Sequence, residues 1–112
     1  MAVINEYKFH GKYIEAAESN TLLAPLISET IIIKSFRITN KSGSNTPTLT
    51  LKNNGFSILW ADSLTAATSV EILTLPMVVE GATIFTYTTV GDCTDGVVIG
   101  ISYLNIKKEV TV

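Results

Sequence analysis

The chain has 112 residues, enough for one domain with a core but too few for two. Apolar residues make up 46% and charged residues only 16%, against about 25% charged in ordinary globular proteins, so disorder is not expected and apolar surface is expected to need a cover. Eight basic and ten acidic residues leave a net charge of −2, and the only adjacent basic pair is Lys107-Lys108. No basic stripe exists to neutralise a phosphate backbone, so nucleic acid is not an expected partner.

Residues 1–10 carry a polar or charged side chain at every second or third position, unlike the apolar core of a secretion signal. No run approaches the roughly 20 apolar residues of a membrane span, so no membrane partner is expected. Residues 13–20 have some helix-friendly composition but are too few to nucleate a helix well alone. From Glu29 to Asn40 a long strand is expected. Its apolar positions change face between Ile33 and Phe36, which a bulge near Lys34-Ser35 would produce, since one extra residue re-aims the side chains that follow.

Lys41-Ser42-Gly43-Ser44-Asn45 reads as a polar connector, and Pro47 suits an edge or the start of a strand. Next comes the clearest local signal. Thr48-Leu49-Thr50-Leu51 alternates, Asn53-Asn54-Gly55 follows, and Phe56-Ser57-Ile58-Leu59-Trp60 alternates again. Asn-Gly between alternating segments marks a two-residue hairpin turn, whose central residues both need positive φ. Leu49, Leu51, Phe56, Ile58 and Trp60 are the expected core residues of this hairpin.

Val70 to Leu75 reads as a strand broken by Pro76, Met77-Val78-Val79 continues extended, and Glu80-Gly81 turns the chain. A strand within residues 82–89 sets Phe85 and Tyr87 against Ile84. After the turn cluster at residues 91–96, Val97, Ile99, Ile101 and Tyr103 share one face of a long strand with Gly100 and Ser102 on the other, the pattern of a central strand. The whole implies a single all-β domain over residues 1–112: an antiparallel two-sheet sandwich, Greek-key or jelly-roll-like, of about seven to eight strands.

The order of three segments, Ile31-Ile32-Ile33-Lys34-Ser35-Phe36-Arg37-Ile38-Thr39-Asn40, Leu75-Pro76-Met77-Val78-Val79-Glu80-Gly81-Ala82-Thr83 and Ile101-Ser102-Tyr103-Leu104-Asn105-Ile106, resembles a group of small tailed-bacteriophage virion proteins. Their strands have I-V-K-S-I-R-I-x-N, L-P-L-V-x-E-x-G-D and V-S-Y-L-E-I character. The resemblance spans residues 29–107 and departs where Ala82-Thr83 replaces Gly-Asp. It implies a β-sandwich in a capsid-decoration, neck or tail position, present in several copies, made in the bacterial host cytoplasm and located in the virion. Residues 1–28 have no counterpart there and read as a docking arm together with the first strands.

Chemical constellations are sparse. His10 is the only histidine and Cys93 the only cysteine, so a nucleophilic site would have to bring one of them to a partner across the fold, and no G-x-S-x-G signature is present. Cys93 lies in Gly91-Asp92-Cys93-Thr94-Asp95-Gly96, whose small polar residues suggest exposure. Asp92 and Asp95 are too few carboxylates for calcium, and an Asp/Gly turn explains them. No catalytic residue, metal site or cofactor is expected, and the chain is read as non-enzymatic. Trp60, Tyr87 and Tyr103 are the candidate contacts, for a partner or, in a carbohydrate-binding or host-attachment alternative, for sugar rings; their register with apolar neighbours fits core positions better. Low charge and few edge-blunting residues imply a homo-oligomer or docking to other virion proteins, with residues 1–28 and the end, Lys108 to Val112, as contact arms and Val110-Thr111-Val112 as a strand that a neighbour could take up.

Overall fold

The structure, a computed structural model, describes residues 3–108. Among them are nine strands and no helix: β1 (Val3–Ile14), β2 (Ser19–Leu23), β3 (Glu29–Asn40), β4 (Thr48–Asn53), β5 (Phe56–Ser63), β6 (Thr68–Glu71), β7 (Met77–Val79), β8 (Phe85–Val90) and β9 (Val97–Lys108). Among the described residues there is accordingly no helix long and apolar enough to cross a membrane. Residues 13–20, helix-friendly in composition, are the end of β1, a short connection and the start of β2. The segment Val110-Thr111-Val112 lies outside the described residues.

The chain is folded about Asn54-Gly55. Both turn residues have positive φ, 51° and 80°, and the hairpin closes on the pair Asn53 and Phe56, as the Asn-Gly signal requires. Pairing then propagates outward almost symmetrically from that turn, with Ile38 opposite Val70, Thr21 opposite Thr86 and Phe9 opposite Ser102. This nested hairpin is wound into two antiparallel sheets, ordered β1-β9-β3-β6 and β2-β8-β4-β5, with β7 also on β3. Such winding of one long hairpin into two layers, here of five and four strands, is the jelly-roll arrangement of a β-sandwich.

β9 is the central strand expected, flanked by β1 and β3 over nearly its full length. The register of β3 against β9 shifts between Ile33 and Ser35, which is the bulge inferred from the change of apolar face. That bulge also divides the far side of β3. Residues 31–33 pair with β7 and residues 37–40 with β6, and the chain leaves the sheet between them, around Pro76. Glu71 closes the gap. Its carboxylate accepts the Ser35 hydroxyl, the Phe36 N–H at 2.7 Å and the Leu73 N–H at 3.3 Å, while Ile72 N–H donates to Phe36 C=O at 2.8 Å. Burial alone would raise the Glu71 carboxyl, but these hydrogen bonds outweigh it and hold it below its usual value.

The core lies between the layers. Ile33, Phe36, Ile38, Ile99 and Ile101 from the first sheet meet Leu49, Leu51, Phe85 and Tyr87 from the second, and the Phe36 and Phe85 rings touch across the interface at 5.6 Å between centroids. The connector after β3 is held by a satisfied buried amide. Asn40 donates to Asn45 C=O and Leu64 C=O and accepts from Ser42 N–H, so its burial leaves no polar atom stranded.

Candidate functional site

The three aromatic candidates do not converge. Tyr87 is 1% exposed beside Phe85 between the sheets, so it is corrected from a candidate contact to a core residue, the position that the face it shares with Phe85 also allowed. Its Oη makes no hydrogen bond of ordinary geometry but lies near the Glu18 carboxylate; burial first, then that carboxylate, pushes the hydroxyl up to about 12. Tyr103 is half-buried on the inner face of the first sheet, between Ile33 of β3 and Lys8 of β1, and burial followed by the charges of Glu29 and Glu6 raises it.

Trp60 is 67% exposed, so its core assignment is corrected. The register of β4 against β5 shifts at Leu51, which pairs with Leu59 while Lys52 pairs with Ser57. The extra residue rotates Trp60 outward, where the Lys52 ammonium lies 5.6 Å from its ring centroid. Phe56, also expected inside, is exposed because it sits at the hairpin tip beyond the end of the core.

Cys93 corrects the opposite way: it is buried, not exposed. The turn directs its polar side chains out, with Asp92 accepting the Thr94 N–H and hydroxyl, while Gly96 N–H bonds Cys93 C=O and the thiol points inward. Burial pushes that thiol above its usual value, away from thiolate reactivity. Gly96 itself is at φ 101° with the Tyr13 ring directly against it, so a larger residue would be strained and would have to displace that ring. Among the described residues there is no group of three or more His, Cys, Asp or Glu side chains able to hold a metal ion.

The most extensive unusual surface is the outer face of β1 and its neighbours. β1 is the terminal strand of its sheet and, among the described residues, pairs only with β9. Its odd positions carry Val3, Tyr7, Phe9 and Tyr13, all exposed, with Tyr7 at 81% and Phe9 at 71%. Registers align Tyr7 with Leu104, Ile32 and Val78, an unbroken apolar row across β1, β9, β3 and β7. Gly11 and Gly100 face each other one step along, and the Phe9 ring lies over both; a Cβ on either would come within 3.3 to 3.4 Å of it. These glycines therefore form a shallow seat for the ring.

The even positions of β1 are different. Glu6, Lys8, His10 and Lys12 alternate along the inner face before Ile14 enters the core. Glu6 is 3.9 Å from Lys8 and 3.5 Å from Lys107, which is 3.7 Å from Glu29. Glu29 in turn accepts from Asn105, and that hydrogen bond, with one from Leu26 N–H, lowers its carboxyl.

On the opposite side the sandwich is open between the edge strands β5 and β6. A cleft of about 280 Å³ there is lined by Ile38, Leu59, Leu64, Val70 and Ile72 with Asn40 and Asp62 at its polar margin. Trp60 does not line it.

The reading of the sequence missed Tyr7 and Phe9. Their signal was present: an aromatic or apolar residue at positions 3, 7, 9 and 13 against charged or polar ones at 6, 8, 10 and 12 is period-two alternation, obscured by the density of charge. Residues 3–28 supply β1 and β2, one strand to each sheet, so this part of the expected arm is built into the sandwich. Compared with known proteins, the chain matches no family model and no curated protein.

Proposed function

We propose that the chain is a non-enzymatic structural component of a bacteriophage particle, in a capsid-decoration, neck or tail position, that assembles with other virion proteins and with copies of itself. The observation that carries the assembly reading is the open edge of β1 bordered by the exposed Tyr7 and Phe9. An unpaired edge strand beside an apolar face is a template for another chain, and a soluble domain that keeps one ordinarily has a use for it. The jelly-roll winding supports the viral half by fold-level analogy, since that architecture recurs in capsid proteins. The strand patterns over residues 29–107 support it by resemblance. The test is mass spectrometry of purified phage particles together with binding of the isolated protein to particles that lack it. Absence from particles and no binding would remove the reading.

A second reading, a carbohydrate-binding or host-attachment module, is favoured by one feature, the outward-facing Trp60 ring, because an exposed indole can stack on a sugar. Glycan-array binding lost in Trp60→Ala with the fold retained would decide for it.

A further inference from the structure

We propose that β1 is a self-complementary edge and that two copies of this chain join by antiparallel pairing of β1 with β1 about a two-fold axis through Tyr7. The proposal deepens the assembly reading above and rests on its identification of β1 as a contact surface. It is independent of which particle the protein belongs to.

Three observations converge on a second copy as the occupant. Among the described residues no strand pairs with the far side of β1, so its backbone N–H and C=O groups there are available to another strand. Its outer face holds the most exposed aromatic residues of the first sheet, Tyr7 and Phe9, which a monomer gains nothing by presenting to water. Its inner face carries charges of both signs in an order that reads as its own complement.

Register decides the last point. In antiparallel pairing, directly opposite residues share a face, and either kind of pair can lie on a two-fold axis. Centring on Glu6 or on Lys8 sets like charges against each other at the axis. Centring on His10 puts Lys8 opposite Lys12 twice, and centring on Phe9 pairs Glu6 with Lys12 but sets Lys8, next to the axis, against His10 and leaves it without an acidic partner. Centring on Tyr7 sets Glu6 opposite the second copy's Lys8 and Lys8 opposite its Glu6, with His10 facing Ile4. No like pair remains. On the outer face Tyr7 then meets Tyr7, Asn5 meets Phe9, and Val3 meets Gly11, which has no side chain to obstruct it.

The same register joins the apolar rows. Val78, Ile32, Leu104 and Tyr7 of one copy run into Tyr7, Leu104, Ile32 and Val78 of the other, giving a continuous sheet across the axis. Such an interface is isologous and closed, so it ends at a dimer and leaves no β1 edge exposed to propagate a fibre.

The experiment uses the full chain. Sedimentation equilibrium should give twice the 12.1 kDa chain mass at micromolar concentration. Tyr7→Cys should form a covalent dimer on mild oxidation, because opposite Cα atoms are about 4.5 to 5.5 Å apart and a disulfide spans about 4.4 to 6.8 Å. Cys93 is buried, so the unsubstituted chain serves as the uncrosslinked control. Asn5→Cys and Phe9→Cys should each fail to crosslink alone and succeed when mixed. Glu6→Lys should weaken the dimer about tenfold, and adding Lys8→Glu should restore it.

A monomeric mass would overturn the proposal. So would a dimer in which Tyr7→Cys stays uncrosslinked while Phe9→Cys alone crosslinks. Tyr7 is exposed, so its replacement does not endanger the fold, and circular dichroism confirms this for each variant. Presence in phage particles is measured separately, so the dimer and the virion assignment fail or stand independently.

Discussion

Replacing Tyr87 by Phe should stabilise the protein. The hydroxyl is 1% exposed and makes no hydrogen bond of ordinary geometry, so folding strips it of water and returns only its weak attraction to the nearby Glu18 carboxylate. Such a group costs about 1–3 kcal/mol, whereas the packing lost with one oxygen is about 0.5–1 kcal/mol. The net gain is about 0.5–2 kcal/mol, raising Tm by about 2–8 °C for a domain of this size. The alkaline limb provides a second measure. The hydroxyl is raised from 10.0 to about 12, so its folded form favours the neutral phenol. Stability from that preference is fully present below pH 10, is lost as the pH rises toward 12, and amounts to about 3 kcal/mol over that window. Tyr87→Phe removes this loss, so its advantage over wild type should widen above pH 10. Urea unfolding followed by far-ultraviolet circular dichroism is the suitable assay, because Trp60 is already exposed and its fluorescence will respond weakly to unfolding. Destabilisation by 1 kcal/mol or more at neutral pH would refute the reasoning and mean that the hydroxyl has a bonded partner in the fold.

Three other outcomes are expected. Glu71→Ala should cost about 1–2 kcal/mol in urea unfolding, since it strips the bulge of the acceptor for Phe36 N–H; the contribution of Glu71 is present above its unfolded value near 4.5 and is lost as the pH falls through its lower folded value, so the variant should show a shallower acid transition. Gly96→Ala should lower Tm and cost about 2 kcal/mol or more, because φ 101° and the adjacent Tyr13 ring both oppose a Cβ. Trp60→Ala should change stability by less than about 1 kcal/mol, the scale of its exposed contact with Lys52; a loss of 3 kcal/mol, typical of a core aromatic, would contradict its outward orientation.

What the amino-acid sequence determines by itself is local. Asn54-Gly55 dictates a turn with two positive φ values, the change of apolar face between Ile33 and Phe36 demands an extra residue, and Val97, Ile99 and Ile101 mark a strand covered by a second layer. These signals depend on backbone sterics and on a period of two, which operate within a few residues, and they suffice for the all-β class and for Leu49, Leu51 and Tyr87 in the core. What only the tertiary structure decided is which faces are covered. Trp60 alternates with Phe56 and Ile58 as a core residue would, but a register shift opposite Leu51 and a position on the edge strand β5 turn it outward. Cys93 lies in a polar turn and is buried, because a turn directs its side chains individually. Alternation distinguishes one side of a strand from the other; whether a second sheet lies over that side depends on contacts between residues far apart in the chain. The same is true of β1. Its aromatic and charged positions are legible in order, but their place on an open edge follows only from the pairing of the first strand with the last.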